Sequence, residues 1–344
     1  MQPHDIQRIL IIRFSSIGDI VLTTPAIRAA RRRFPQARLD MVTKRQFAEL
    51  LETNPHLNHL YQYDARDGMR GLLALGRELR RVRYDLCLDL HNNFRSRLLR
   101  VIIGAAEHAA FSKQIVARTL LVRAKINRYR GILPVAERYL SAAARFGAQD
   151  DGAGLELFPT PEQEARVARL FEECGLRGGE IAVGLGAMAA HPLKQWPLEK
   201  FAALGRQLAE RHQARLIIFG GPADRQIGET LARQLPNRPI VLCGGVSLLE
   251  SAVALKRCAV FVGNDTGTVH LAAAMRRPVV ALFGPTVEEF GFYPYRTPAR
   301  VIARALPCRP CTHTGKGRCR IRERHACMER ITVEEVFSAV EELL

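Results

Sequence analysis

At 344 residues the chain has the length of two domains, and with 47 % hydrophobic residues it is globular and not disordered. No apolar run approaches the roughly 20 residues of a membrane-spanning helix. The start, Met1-Gln2-Pro3-His4-Asp5, lacks the basic-then-apolar pattern of a secretory signal, so a cytoplasmic protein is expected. The net charge of +17 is uneven: residues 1–150 carry 26 Lys+Arg against 13 Asp+Glu, the remainder 25 against 21. The first half includes the clusters Arg31-Arg32-Arg33, Arg80-Arg81-Val82-Arg83, and Arg95, Arg97 and Arg100. Such a field suits an anionic membrane surface or a phosphorylated glycolipid, or is a solvated arginine face. Nucleic acid is disfavoured, because no reader motif or aromatic stripe accompanies the arginines.

Along the first half, Ile9–Ile12, Leu39–Val42, His59–Tyr63 and Leu86–Leu90 read as strands. Arg28–Phe34, Phe47–Thr53 and Met69–Arg81 read as helices between them. Alternation of this kind means βαβ units and a parallel sheet. Between Ile12 and the helix lies Phe14-Ser15-Ser16-Ile17-Gly18-Asp19, a Gly-containing turn with an acid at the helix start. It is not G-x-G-x-x-G, so the dinucleotide fingerprint is missing and a nicotinamide oxidoreductase is disfavoured. From Val101 to Gly131 the chain reads as basic and irregular, and Pro134–Phe146 resumes a helix. Gln149-Asp150-Asp151-Gly152-Ala153-Gly154 is polar and Gly-rich and reads as the start of the interdomain connection.

The second half repeats the alternation. Strands are expected at Ile181–Leu185, Leu216–Phe219, Ile240–Leu242, Val260–Val262 and Val279–Phe283, and helices at Pro197–Arg211, Asp224–Gln234, Leu248–Lys256 and Val269–Met275. Ligands of such sheets bind at the carboxyl ends of the strands. Gly220-Gly221 closes one strand, where two glycines allow a nucleotide to approach or simply make the turn. The most informative junction is Val262-Gly263-Asn264-Asp265-Thr266-Gly267-Thr268-Val269-His270. A strand there hands over to a helix whose free N–H groups and dipole favour an anion. Asp265 can accept from two sugar hydroxyls or cap the helix with Thr266. His270, one turn in, either faces a ligand or packs.

Two such junctions in one chain carry a family resemblance. Ile9 to Ala26 (ILIIRFSSIGDIVLTTPA), Lys194-Gln195-Trp196-Pro197 and Val262 to Pro285 (VGNDTGTVHLAAAMRRPVVALFGP) together resemble the ADP-heptose:lipopolysaccharide heptosyltransferases, glycosyltransferase family 9, over nearly the whole chain. The resemblance implies an α/β fold of the GT-B kind, two Rossmann-like doubly wound domains facing a central cleft. Residues 1–155 would form an acceptor-binding domain and 156–330 a nucleotide-sugar-binding domain. In this architecture a terminal helix over 331–344 can cross back to the first domain. It further implies an inverting glycosyltransferase that moves heptose from ADP-heptose to a lipopolysaccharide core precursor on lipid A, at the inner face of the inner membrane. Other readings are a member with a different sugar donor or acceptor, and a non-catalytic anionic-glycolipid binding protein.

Inversion needs a base for the acceptor hydroxyl and positive charge or N–H donors for the leaving diphosphate. The family's catalytic aspartate matches Asp19. Gly18 lets backbone approach the ligand, and Ser15 and Ser16 donate to a diphosphate or cap the helix. Lys194, before Trp-Pro as in the family, would meet the phosphates with Asp265, Thr266, Gly267 and His270. The loop before it, Ala187 to Pro192, lacks the additional charged residues of common family versions. Trp196 reads as packing. Arg95 and Ser96 are candidates for the acceptor. No D-x-D motif stands in place, so no catalytic metal and no cofactor is inferred.

Of eight cysteines, Cys87, Cys174, Cys243 and Cys258 read as core. Cys308, Cys311, Cys319 and Cys327, with His313 and His325 among them, read as reduced thiols or a metal site in place of disulfides. Their spacing departs from paired C-x2-C motifs, and the insert resembles one found in part of the family, where it is not catalytic.

Overall fold

The computed structural model describes residues 6–319 and 321–344. Its strands are β1 (Arg8–Ile12), β2 (Arg38–Lys44), β3 (His59–Tyr63), β4 (Leu86–Asp89), β5 (Glu107–Ala110), β6 (Ala182–Gly186), β7 (Arg215–Ile218), β8 (Ile240–Val241), β9 (Val260–Asn264), β10 (Val279–Phe283) and β11 (Ala299–Ala303). They form two sheets, ordered β3-β2-β1-β4-β5 and β11-β10-β9-β6-β7-β8. All pairings are parallel, with Ile9 opposite both Leu39 and Leu86 in the first sheet and Val183 opposite Val260 in the second. Strands covered on both faces must be apolar throughout, and Ile9–Ile12, Val260–Val262 and Val279–Phe283 are buried at every position.

The helices close those faces. Gly68–Val82 buries Leu72, Leu75 and Leu79 and leaves Arg77, Arg80 and Arg81 outside, the spacing of a one-sided helix. Its end is a left-handed turn at Arg83.

The strand order reverses between β1 and β4 in one sheet and between β6 and β9 in the other. These are the positions where an open parallel sheet leaves a crevice beyond the strand ends. At the second reversal Gly186 lies opposite Gly263. A Cβ on Gly186 would come within 2.5 Å of the Phe261 ring, so the ring fits between the strands only because both positions are glycine.

The chain divides into two units, Met1–Lys113 with Pro134–Phe158 and Gln114–Leu133 with Pro159–Leu344. Two expectations change. The stretch 114–133, counted with the first domain, belongs to the second unit, where Lys125 Nζ donates to Cys308 O (2.9 Å) and Pro310 O (2.6 Å) and Asn127 donates to Glu289 (2.9 Å). The terminal helix Val333–Glu341, expected as able to reach the first domain, is counted in the second unit. It packs Val336, Phe337 and Val340 into the second unit's core with Phe201, Leu204 and Leu208, and Glu341 pairs with His212 at 3.2 Å.

The polar 149–154 stretch is also no loose connection. Arg28 donates to both oxygens of Asp151 (2.7 and 2.8 Å) and to Gly154 O (3.0 Å). The structure adds β5, β11 and the helices Phe94–Ile103, Ile115–Ala124 and Pro161–Glu173 to the elements expected from the sequence, and starts the first helix at Ile17, inside the expected turn.

Candidate functional site

In the first unit, β1 delivers Arg13 to the strand-order reversal. Arg13 is 6 % exposed and is held by Ser15 O (2.8 Å) and Leu90 O (2.6 Å), the latter just beyond β4. Its remaining nitrogen meets Asp19 Oδ1 at 2.6 Å. Asp19 stands third in the short helix Ile17–Val21, and its Oδ2 accepts from Ser16 N (3.0 Å) and Ser16 Oγ (2.9 Å). Tyr139, from the helix Val135–Ala144, donates to Oδ1 at 3.2 Å, and the Arg13 guanidinium lies 5.1 Å over the Tyr139 ring.

Burial raises the Asp19 pKa, but Arg13, Ser16 and Tyr139 outweigh it and hold the carboxyl below the ordinary 3.8. A carboxylate has about four lone-pair sites. All are engaged in this setting, so the group is ionised and fixed in orientation. Burial also pushes His91 down to about 3, with Arg13, Lys113 and Lys44 adding to it, so a neutral imidazole stands beside this pair. Its Nδ1 is buried without a hydrogen-bond partner.

The same unit corrects several expectations. Ser96, a candidate for the acceptor, is fully buried. Its Oγ donates to Asp89 Oδ2 (3.0 Å) and accepts from Asn93 N (2.9 Å), so it caps the helix Phe94–Ile103 and presents nothing outward. Arg95 is exposed on that helix. Ser16, a candidate for the phosphates, turns its hydroxyl to Asp19. Gly18 is buried within the helix Ile17–Val21. Arg31, taken as part of a solvent-facing basic cluster, donates to His56 O (3.0 Å), Ala37 O (2.7 Å) and Asn58 Oδ1 (2.6 Å), and is a brace for neighbouring loops.

In the second unit, the loop after β6 brings Lys194 to the end of β9. Lys194 Nζ lies 2.6 Å from Asp265 Oδ2 and 3.1 Å from Asp265 O, and Thr286 Oγ1, beyond β10, donates to Oδ2 at 2.8 Å. Asn264 sets the loop by accepting from Trp196 N (3.0 Å) and donating to Ala187 O (2.7 Å). Trp196 is 1 % exposed, and its indole N–H reaches Ile331 O at 3.1 Å. It is a packing residue, as expected.

Thr266 is the N-cap and Gly267 the first residue of the helix Gly267–Ala274. The Thr266 side chain makes no cap bond, so the first N–H groups are free of an intrahelical partner. His270 is buried at 3 % exposure, which places it in the packed side of the helix.

The cysteine-bearing loop supports this second site. Gly315 approaches so closely that a Cβ there would lie 2.8 Å from Lys194 Cγ. Arg309 donates to Thr286 O at 2.6 Å and Cys311 N to Pro285 O at 3.2 Å. Its four cysteines are free thiols. Among the described residues no group of three or more His, Cys, Asp or Glu is placed to hold a metal.

Each unit thus places, just beyond its central strands, an acid held by a cation at 2.6 Å. The sequence pattern names both acids and Lys194, but not Arg13, Tyr139, His91 or Thr286. An arginine at the end of β1 could be found from its position beside the turn. The others come together only in three dimensions.

Comparison with known proteins places this geometry. The family described as "Glycosyltransferase family 9 (heptosyltransferase)" matches residues 72–319. "Lipopolysaccharide heptosyltransferase 2" of Escherichia coli K12 is 28 % identical over 308 residues, 86 % of this chain and 87 % of that protein. A glycosyl transferase family 9 structure from Veillonella parvula covers 100 % of this chain and 98 % of its own, with a TM-score of 0.81 at 24 % identity. The E. coli ADP-heptose heptosyltransferase II structure gives 0.74 at 23 % identity, covering 98 % of each chain. The fold is GT-B, built from two parallel-sheet α/β units. Among the described residues no helix is long and apolar enough to cross a membrane.

Proposed function

The chain belongs to glycosyltransferase family 9, and on that premise we propose that it transfers heptose from ADP-heptose to the inner core of lipopolysaccharide, with inversion at the anomeric carbon. The observation that carries the reading is the pair of acid–cation contacts, one at each strand-order reversal, Arg13–Asp19 and Lys194–Asp265. In one displacement the acceptor oxygen bonds to the anomeric carbon, the carbon–oxygen bond to the diphosphate breaks, and the acceptor proton passes to Asp19.

The low basicity of Asp19 is no obstacle. The hydroxyl gives up its proton only as its oxygen bonds to carbon, when it has become a strong acid. Arg13 and Tyr139 hold Oδ1 in place, while the Ser16 hydroxyl on Oδ2 is rotatable and stands on an exposed residue. That hydroxyl can leave room for the acceptor.

Charge gathering on ADP meets the ammonium of Lys194 and the first N–H groups of the helix Gly267–Ala274. Asp265, braced by Lys194 and Thr286, aligns the loop from which those N–H groups project. Arg95 remains the candidate for the acceptor's phosphates. The acceptor is anchored on lipid A, so the enzyme works peripherally at the inner face of the inner membrane.

The test is a donor and acceptor assay with purified protein. ADP-heptose and heptose-deficient lipopolysaccharide should give ADP and an acceptor heavier by one heptose, while UDP- and GDP-sugars give no product. Preference for a uridine or guanosine donor would defeat the donor assignment. Transfer to an acceptor unrelated to lipopolysaccharide would defeat the other half.

A further inference from the structure

We propose that the segment Gln114–Leu133 is the surface by which this protein docks on an anionic lipid bilayer, with the side chains of Ile115, Val116, Ile126 and Ile132 entering the interface and Arg118, Arg123, Arg128 and Arg130 meeting lipid headgroups. It deepens the proposed function, resting on the reading that the acceptor is lipid-anchored.

Three observations converge on this segment. The first is apolar exposure. Of the eleven large hydrophobic side chains exposed among the described residues, five lie in it: Ile115 (49 %), Val116 (74 %), Ile126 (45 %), Ile132 (51 %) and Leu133 (40 %). Single exposed apolar residues are ordinary, but five within twenty residues mark an interaction surface.

The second is charge. The segment holds five basic residues, and no acid occurs between Glu107 and Glu137. The apolar residues are aliphatic, whereas a nucleic-acid surface would interleave aromatic rings for stacking. Aliphatic residues among arginines match the boundary between acyl chains and anionic headgroups.

The third is anchoring. The helix Ile115–Ala124 buries Leu121. At its end Lys125 donates to Cys308 O and Pro310 O, Asn127 bonds Glu289, and the Tyr129 ring lies 6.5 Å from that of Phe290. The exposed side chains are therefore presented by a fixed backbone and are not a loose tail. None belongs to the acid–cation pairs, so docking and transfer are separable by mutation.

The experiment is sedimentation of the full chain with vesicles of phosphatidylcholine, with and without phosphatidylglycerol, lacking any lipopolysaccharide. Wild type should sediment with the anionic vesicles only, and less at high salt. Arg123→Gln with Arg128→Gln should weaken binding about fivefold per arginine. Val116→Ser with Ile132→Ser should weaken it at least about tenfold. Both variants should keep the wild-type Tm, ADP affinity and turnover on a water-soluble, deacylated acceptor.

Three results would overturn the proposal: no sedimentation of wild type, undiminished binding by both variants, or binding only when lipopolysaccharide is embedded. The last would mean that the glycan and not the lipid surface is held. A protein that docks on vesicles yet transfers no heptose would leave this inference standing and remove the proposed function.

Discussion

The Arg13–Asp19 junction and the Lys194–Asp265 junction share one plan and differ in where the acid stands. Both sit past the reversal of strand order, and both hold an acid against a cation at 2.6 Å. At the first, the acid lies inside the helix and its carboxylate accepts from Ser16, the residue before the helix. At the second, the acid precedes the helix and is braced from outside by Lys194 and Thr286; neither N-cap side chain, Ser16 or Thr266, accepts a bond from its helix. The Ser16–Asp19 bonds fix a carboxylate at the first helix start without closing its first N–H groups. The N-terminus of the longer helix Gly267–Ala274, with Lys194 beside it, invites an anion. On the proposed function, the same supersecondary unit serves as a base in one unit and as a diphosphate cradle in the other.

The strongest way to break this contrast is Asp19→Asn. The amide keeps an oxygen for Arg13 but cannot take a proton. Turnover should fall by about 10²–10⁴, with ADP affinity unchanged by calorimetry. Retention of more than about a tenth of wild-type turnover would refute the base. Lys194→Ala should act differently, weakening ADP and donor binding about 10–100-fold, the worth of a charge-assisted bond, and lowering turnover as well. Part of the loss comes from leaving Asp265 unpaired before the diphosphate, so adding Asp265→Asn should recover some ADP affinity. Unchanged kinetics in Lys194→Ala would remove that residue from the site.

The contrast is only partly legible in the sequence. Of the nine strands expected, the central ones follow from apolar runs, because a sheet covered on both faces admits nothing else, whereas the edge strand His59–Tyr63 alternates. The edge strand Glu107-His-Ala-Ala has no such pattern and is set by its pairing with β4. The acids at positions 19 and 265 show themselves as charges between strand and helix. Tyr139 reaches Asp19 from 120 residues away, and no local rule predicts that. Ser96 misleads because a hydroxyl among arginines looks like a ligand contact. Asn93, three residues earlier, is the sign of a capping box that buries it. Likewise Thr160-Pro161 with Gln163 announces the helix Pro161–Glu173 by its cap, and Val167, Leu170 and Phe171 mark its inner face.

A pH series sharpens the first junction further. His91 has an ordinary pKa of 6.5 that falls to about 3 in the fold, through burial first and then the nearby cations. Between those values the unfolded chain binds a proton that the folded chain refuses. Stability should thus decline as pH falls from about 6.5 toward 3. Asp19, depressed below 3.8, contributes stability that is lost only at lower pH. Thermal unfolding of His91→Gln should show a shallower decline above pH 4 than wild type. Identical slopes would mean that His91 does not stay neutral in the fold.

The smallest effect expected is also the most discriminating for the contrast itself. Ser16 is exposed, and its hydroxyl lies 2.9 Å from Asp19 Oδ2. If that hydroxyl served the diphosphate, as hydroxyls in such turns can, Ser16→Ala would weaken ADP. With Asp19 as the base, the hydroxyl serves only to occupy Oδ2 until the acceptor arrives. The backbone N–H of residue 16 keeps its bond to the carboxylate in the variant, so the carboxylate stays held. Ser16→Ala should therefore leave ADP affinity at the wild-type value and change turnover by no more than a few-fold, about one neutral hydrogen bond's worth. With one competitor for Oδ2 gone, the acceptor KM should fall rather than rise. A rise in the ADP Kd with an unchanged acceptor KM would move the diphosphate to the first junction and erase the division of labour between the two.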